Sequence, residues 1–120
     1  MMTARSLTIG AAVIAVTALP AACGEAETTL NVRLTDYQLK PRNPQLDGPA
    51  EVRFRVRNVG SVAHALTVVG PKEEVETEPV PPGGTTEFTL DLDEPGRYRW
   101  FCPVGDHRER GMRGLITVDG

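Results

Sequence analysis

The chain has 120 residues, a formal net charge of −3 and 40% hydrophobic residues, the make-up of one ordinary soluble domain. No block of like charge is long enough to act as a nucleic-acid-binding arm, and the densest cluster, KEEVETE at 72–78, reads as a solvated loop.

Residues 1–22 read as an export signal. Arg5 supplies a small positive start, and LTIGAAVIAVTAL at 7–19 is apolar and uncharged. That run is short of the roughly 20 residues a membrane-spanning helix needs, and it suits the core of a secretory signal. LPAAC at 19–23 resembles the lipobox of bacterial lipoproteins, where the cysteine becomes the lipidated first residue. Pro20 departs from that box, which has an aliphatic residue at this position. The expectation is a signal peptide of lipoprotein type at 1–22, a lipidated Cys23 with a short polar tether at 23–29, and a folded domain at 30–120. Ordinary signal-peptidase cleavage with Cys23 left as a free thiol, or an uncleaved anchor, are the alternatives. The lipidated form would sit on the outer face of the cytoplasmic membrane, held by its lipid alone. Exported proteins normally pair their cysteines. With Cys23 lipidated, Cys102 has no partner in the chain, and a lone thiol there needs a reason.

From residue 30 onward the pattern has period two. LNVRL at 30–34 places Leu30, Val32 and Leu34 on one face. The segment 36–45, DYQLKPRNPQ, has prolines that predict an irregular excursion or an edge segment. EVRFRVRN at 51–58 turns Val52, Phe54 and Val56 inward and Arg53, Arg55 and Arg57 outward. HALTVV at 64–69 reads as a buried strand. TTEFTLDL at 85–92 points Phe88, Leu90 and Leu92 inward, and RYRWFC at 97–102 does the same with Tyr98, Trp100 and Cys102. GLITV at 114–118 closes the chain. Turn signals separate the runs: LDGP at 46–49, PPGG at 81–84 and EPGR at 94–97. Short strands with regular turns predict an all-β, Greek-key antiparallel sandwich.

The residues able to do chemistry are few, and most lie together. CPVGDHRERGM at 102–112 holds Cys102, His107 and Met112, and Met112 is the only methionine apart from Met1 and Met2. The last two strands should be antiparallel neighbours, which places this loop at one end of the sandwich. The other histidine, His64, follows the break NVGSVA at 58–63 and can reach the same end. One thiolate, two imidazoles and a thioether match the blue-copper electron-transfer set of His₂Cys with a weak axial methionine.

NVGSVAHAL at 58–66, taken with GRYRWFCPVGDHRERGMRGLITV at 96–118, resembles the cupredoxins, the single-domain type 1 copper proteins. The spacing C-x₄-H-x₄-M is similar to that of bacterial members related to auracyanin and to the type 1 domain of copper nitrite reductase. The resemblance runs from about Leu30 to Val118. It implies one type 1 copper ion per chain, with His64, Cys102 and His107 as equatorial ligands and Met112 on the axis. It also implies a one-electron carrier, not an enzyme, working as a monomer between a redox donor and a redox acceptor. Two departures stand out. Ala65 occupies the place where members carry Asn or Asp, so the link across to the cysteine loop must come from elsewhere. Asp106, Arg108, Glu109 and Arg110 surround His107, which predicts a charged docking face and salt-dependent electron transfer. Arg108, Arg110 and Arg113 together suggest an acidic patch on a partner.

Other chemistries fit less well. Zinc prefers four strong ligands, and a thioether is a poor fourth. A binuclear copper site needs a second cysteine in the loop. Type 2 or type 3 copper centres need further histidines, and none is left over. A Cys/His nucleophile lacks an orienting group or oxyanion motif. Two readings compete with the electron carrier: a copper chaperone or buffer that passes on metal, and a metal-free interaction sandwich.

Overall fold

The computed structural model describes residues 27–120, so the expected export signal, Cys23 and the start of the tether lie outside the described residues. Among these residues the chain forms nine strands and no helix. They are β1 (Glu27–Thr35), β2 (Gln38–Lys40), β3 (Gln45–Leu46), β4 (Ala50–Asn58), β5 (Thr67–Val69), β6 (Glu74–Glu76), β7 (Thr85–Leu92), β8 (Gly96–Phe101) and β9 (Arg113–Val118).

Two sheets pack face to face. One has the order β2-β1-β4-β7 and the other β3-β9-β8-β5-β6. The chain changes sheet after β2, β3, β4, β6 and β7, which is the predicted sandwich. It is not antiparallel throughout: β1 runs parallel to β4, and β3 runs parallel to β9. A crossover between sheets separates β3 from β9 in the chain, and no hairpin forces either parallel pair to turn back on itself.

The alternation drives the layering. In β4, Val52, Phe54, Val56 and Asn58 are buried while Arg53, Arg55 and Arg57 are exposed. Leu90 and Leu92 of β7, Trp100 of β8, and Ile116 and Val118 of β9 complete the interior. The Phe54 ring stacks on Phe88 at 4.7 Å between centroids and meets Trp100 of the opposite sheet at 6.4 Å. Trp100 stays buried without losing a hydrogen bond, because its Nε1 donates to the Arg42 carbonyl at 2.9 Å.

Three segments differ from the sequence reading. The tether expected through residue 29 gives way to β1 at Glu27, where Glu27, Thr28 and Thr29 pair with Glu51, Val52 and Arg53. β-Branched threonines fit a ladder that β4 already offers. Within the acidic run expected to be a loop, Glu74–Glu76 forms the edge strand β6, with Val75 packed on the core and both glutamates exposed. Charged residues on a sheet edge discourage pairing with other chains. HALTVV is a strand only from Thr67; His64 stands apart in an isolated bridge to Val80. The segment 36–45 supplies the edge strands β2 and β3, one to each sheet, as its prolines suggested.

Candidate metal centre

β8 ends at Phe101 and β9 begins at Arg113, and the two are antiparallel neighbours with Phe101 opposite Arg113. The intervening loop is therefore clamped at both ends. Cys102 N–H donates to the Met112 carbonyl at 3.0 Å, and Met112 N–H donates to the His107 carbonyl at 3.1 Å. His107 N–H donates to the Val104 carbonyl at 3.0 Å, so the loop folds on itself in tight turns. Cys102 and Met112 are fully buried, while His107 is half-buried.

His64 reaches the same place from the other side. Its backbone exchanges two hydrogen bonds with Val80, at 3.1 and 2.7 Å. The loop before it is pinned by buried Asn58. The Asn58 Nδ2 donates to the carbonyls of Val62 and Val80, both at 2.8 Å, and its Oδ1 accepts from Gly60 N–H at 2.8 Å. Every polar atom of this amide that faces the loop is used, which makes the loop stiff.

The side chains converge. His64 Nδ1 and His107 Nδ1 are 3.1 Å apart, and Cys102 Sγ is 3.6 Å from His107 Nδ1. The three ligand atoms lie within 4.8 Å of one another. Donors spread trigonally around one first-row ion stand about 3.5 Å apart, since each bond is about 2.0–2.3 Å. The donor set and its spacing fit a single ion. Burial and the nearby His64 hold the His107 imidazolium below its ordinary range, so the ring is neutral and its nitrogen can donate.

Two residues that the sequence reading left without a role complete the site, and both come from the β1–β2 turn. Asp36 Oδ1 accepts from His64 Nε2 at 2.9 Å, and the same carboxylate accepts from Ser61 N–H at 3.0 Å and from the Ser61 hydroxyl at 2.5 Å. The hydrogen bonds from Ser61, and then that from His64, hold the Asp36 carboxyl well below the usual carboxylate range. An ionised carboxylate can only accept, so Nε2 carries the proton and the Nδ1 lone pair faces Cys102 and His107. Asp36 thus orients the His64 ring, a support distinct from the link to the cysteine loop that Ala65 cannot make. Tyr37 packs edge-on against both imidazoles, with centroids 5.1 Å from His107 and 6.3 Å from His64. It does so at a φ of 74°, a left-handed conformation that costs a non-glycine residue roughly 1 kcal/mol or more.

The charges expected around His107 are largely engaged. Arg110 pairs with Asp106 at 3.0 Å and its guanidinium lies 4.6 Å over the Tyr37 ring. Arg108 lies 4.0 Å over Phe101, turned toward the β8 side. Beside them, the loop leading to His64 exposes Val59 and Val62.

The fold and the Cys/His cluster define a small β-sandwich with one candidate metal-binding end. The chain belongs to the cupredoxin-like domain family, whose model matches residues 7–118. Among solved structures it is similar to the reduced auracyanin of Roseiflexus castenholzii, at 18% identity and a TM-score of 0.69 over 81% of this chain and 100% of that one. Auracyanin A of Chloroflexus aurantiacus matches with 16% identity and a TM-score of 0.67, covering 78% of this chain and 100% of that one. The copper nitrite reductase of Nitrosomonas europaea matches with 19% identity and a TM-score of 0.64, covering 78% of this chain but only 42% of its own. No curated protein gave a significant match.

Proposed function

We propose that this chain is a type 1 copper protein that carries single electrons between exported or membrane redox partners and catalyses no reaction of its own. The observation that carries this reading is the convergence of His64 Nδ1, Cys102 Sγ and His107 Nδ1 within 4.8 Å at a buried sandwich end. We take Met112 as the axial ligand; its burial and its backbone bonds to Cys102 and His107 support this reading. The family supports the reading, and auracyanin A is itself described as a blue copper protein. Both histidines of the sequence are used by this one centre, so no second copper site of the kind that oxidases and nitrite reductases add can be built from them.

Copper in such a site supplies a couple that takes up and releases one electron. The protein's part is to hold the donors still. Asn58 and the Val80 bridge fix the His64 backbone, Asp36 fixes its ring, and the Cys102–Met112 clamp fixes the loop. Ligands held this way do not rearrange when charge changes. The half-buried His107 edge brings the site to the surface, and Val59 and Val62 offer an apolar contact beside it. We further propose that Cys23 is lipidated and anchors the domain outside the cytoplasmic membrane, on the strength of LPAAC.

Adding Cu(II) and following the visible spectrum through a reduction–oxidation cycle tests the function. The carrier shows an intense thiolate band that bleaches and returns reversibly. A protein that surrenders Cu(I) to an added chelator without a reversible couple is a metal-transfer protein, and the proposal fails.

A further inference from the structure

The outer face of β8 and β9 carries a recess of about 290 Å³ that the metal centre does not use. Its walls include Arg42, Arg99, Arg108 and Arg113, and its apolar surface includes Phe101 and Leu115. Strand register sets Arg99 opposite Leu115 and Phe101 opposite Arg113, so cationic and apolar side chains alternate across it. Leu115 is 38% exposed, one of three large hydrophobic residues so exposed among the described residues. Arg42 Nε donates to the Arg113 carbonyl at 3.2 Å, which ties the β2–β3 connection to the start of β9.

Among the described residues, none of the four forms an ion pair, whereas Arg55 pairs with Glu87, Lys72 with Asp93 and Arg110 with Asp106. The chain has 16 acidic residues against 13 basic ones, so carboxylates were available. Gathering four unpaired cations on one recess reverses the sign of an acidic protein locally and adds self-repulsion that the fold does not require.

We infer that this recess, which borders the His107 loop at Arg108, docks an acidic protein surface, a carboxylate-bearing redox partner, on the outer face of β8 and β9; this rests on the electron-carrier reading. Arginine with aromatic and aliphatic residues is the composition of protein-interface centres. A free anion has no use for the apolar surface, and a flat lipid headgroup layer does not enter a recess. Phe101 is the chain neighbour of Cys102, so a partner seated here lies one residue from the buried sulfur.

The test is an amide NMR titration of the protein with a glutamate hexapeptide as the probe. Shifts should centre on 97–101 and 113–117, and Arg99→Glu should weaken binding about tenfold, while Arg33→Glu on the outer face of β1 has little effect. Shifts centred on the His107 loop or on β1 and β4, or an unchanged affinity in Arg99→Glu, would overturn the proposal. So would inorganic phosphate, or phosphatidylglycerol vesicles, that displace the peptide at equal charge concentration, since these would mark an anion or membrane site. The titration is run with and without copper. A missing blue band with the titration intact would remove the electron-carrier reading and leave an acidic-protein dock; a blue band without the titration would do the reverse.

Discussion

The Asp36 carboxylate accepts a hydrogen bond from His64 Nε2 at 2.9 Å, and that contact determines which nitrogen of His64 faces the metal centre. The geometry extends to Ser61, whose N–H and hydroxyl both bind the same carboxylate. One turn residue therefore sets the ring and steadies the loop before it. Asp36→Leu should weaken copper binding about 10–100-fold, the usual effect of losing such a supporting group. Asp36→Asn should keep the ring in place but make it a poorer donor to the oxidised ion. The reduction potential should rise, by about 59 mV for each tenfold loss of Cu(II) over Cu(I) affinity. Cyclic voltammetry reads this directly, and an unchanged potential in both variants would mean that Asp36 is only structural.

Gly60 lies against this pair. A Cβ there would stand 2.8 Å from His64 Nε2 and press still closer on Asp36 Oδ1. Gly60→Ala should cost about 1–3 kcal/mol in denaturant unfolding and should disturb the metal site as well. Gly48→Ala is the control, because a Cβ at Gly48 meets nothing within 4 Å. Equal stability of the two variants would show that the loop yields freely.

Asn58 is the third support. Asn58→Ala would strand the Val62 carbonyl and the Gly60 N–H and leave the Val80 carbonyl with only its bond from His64 N–H, and should destabilise the fold by about 2–3 kcal/mol. Asn58→Asp keeps an acceptor for Gly60 but loses both donated bonds, so it should rescue little. Thermal unfolding of the metal-free protein separates this loss from any effect of copper.

The convergence of His64, Cys102 and His107 was legible because chemistry was concentrated at that end: one thiol, one thioether and one imidazole within an eleven-residue loop, between two strands that had to be neighbours. The period-two alternation likewise gave β4, β7, β8 and β9 nearly to the residue, since each buries one face. The supports were hidden for a physical reason. Asp36 and Tyr37 lie in a two-residue turn with no periodicity, and their partners are distant in sequence: 28 positions separate Asp36 from His64. An unusual turn conformation such as that of Tyr37 leaves no mark on composition. Parallel pairing of β1 with β4 was also invisible, because alternation fixes which face is buried but not the direction of a neighbour.

His64→Gly should open a gap at the site without touching the Cys102 loop. Added imidazole should then restore the visible band, since the freed position faces His107 at hydrogen-bond distance. A variant that keeps the full band without imidazole would remove His64 from the ligand set.

The most direct measurement compares visible absorption and electron spin resonance of the Cu(II)-loaded protein with those of Cys102→Ser. The account predicts an intense blue or green thiolate-to-copper band with narrow copper hyperfine splitting in the first, and loss of both in the second. A pale, ordinary Cu(II) spectrum in the unmodified protein, or a full band that survives the loss of Cys102, would contradict it.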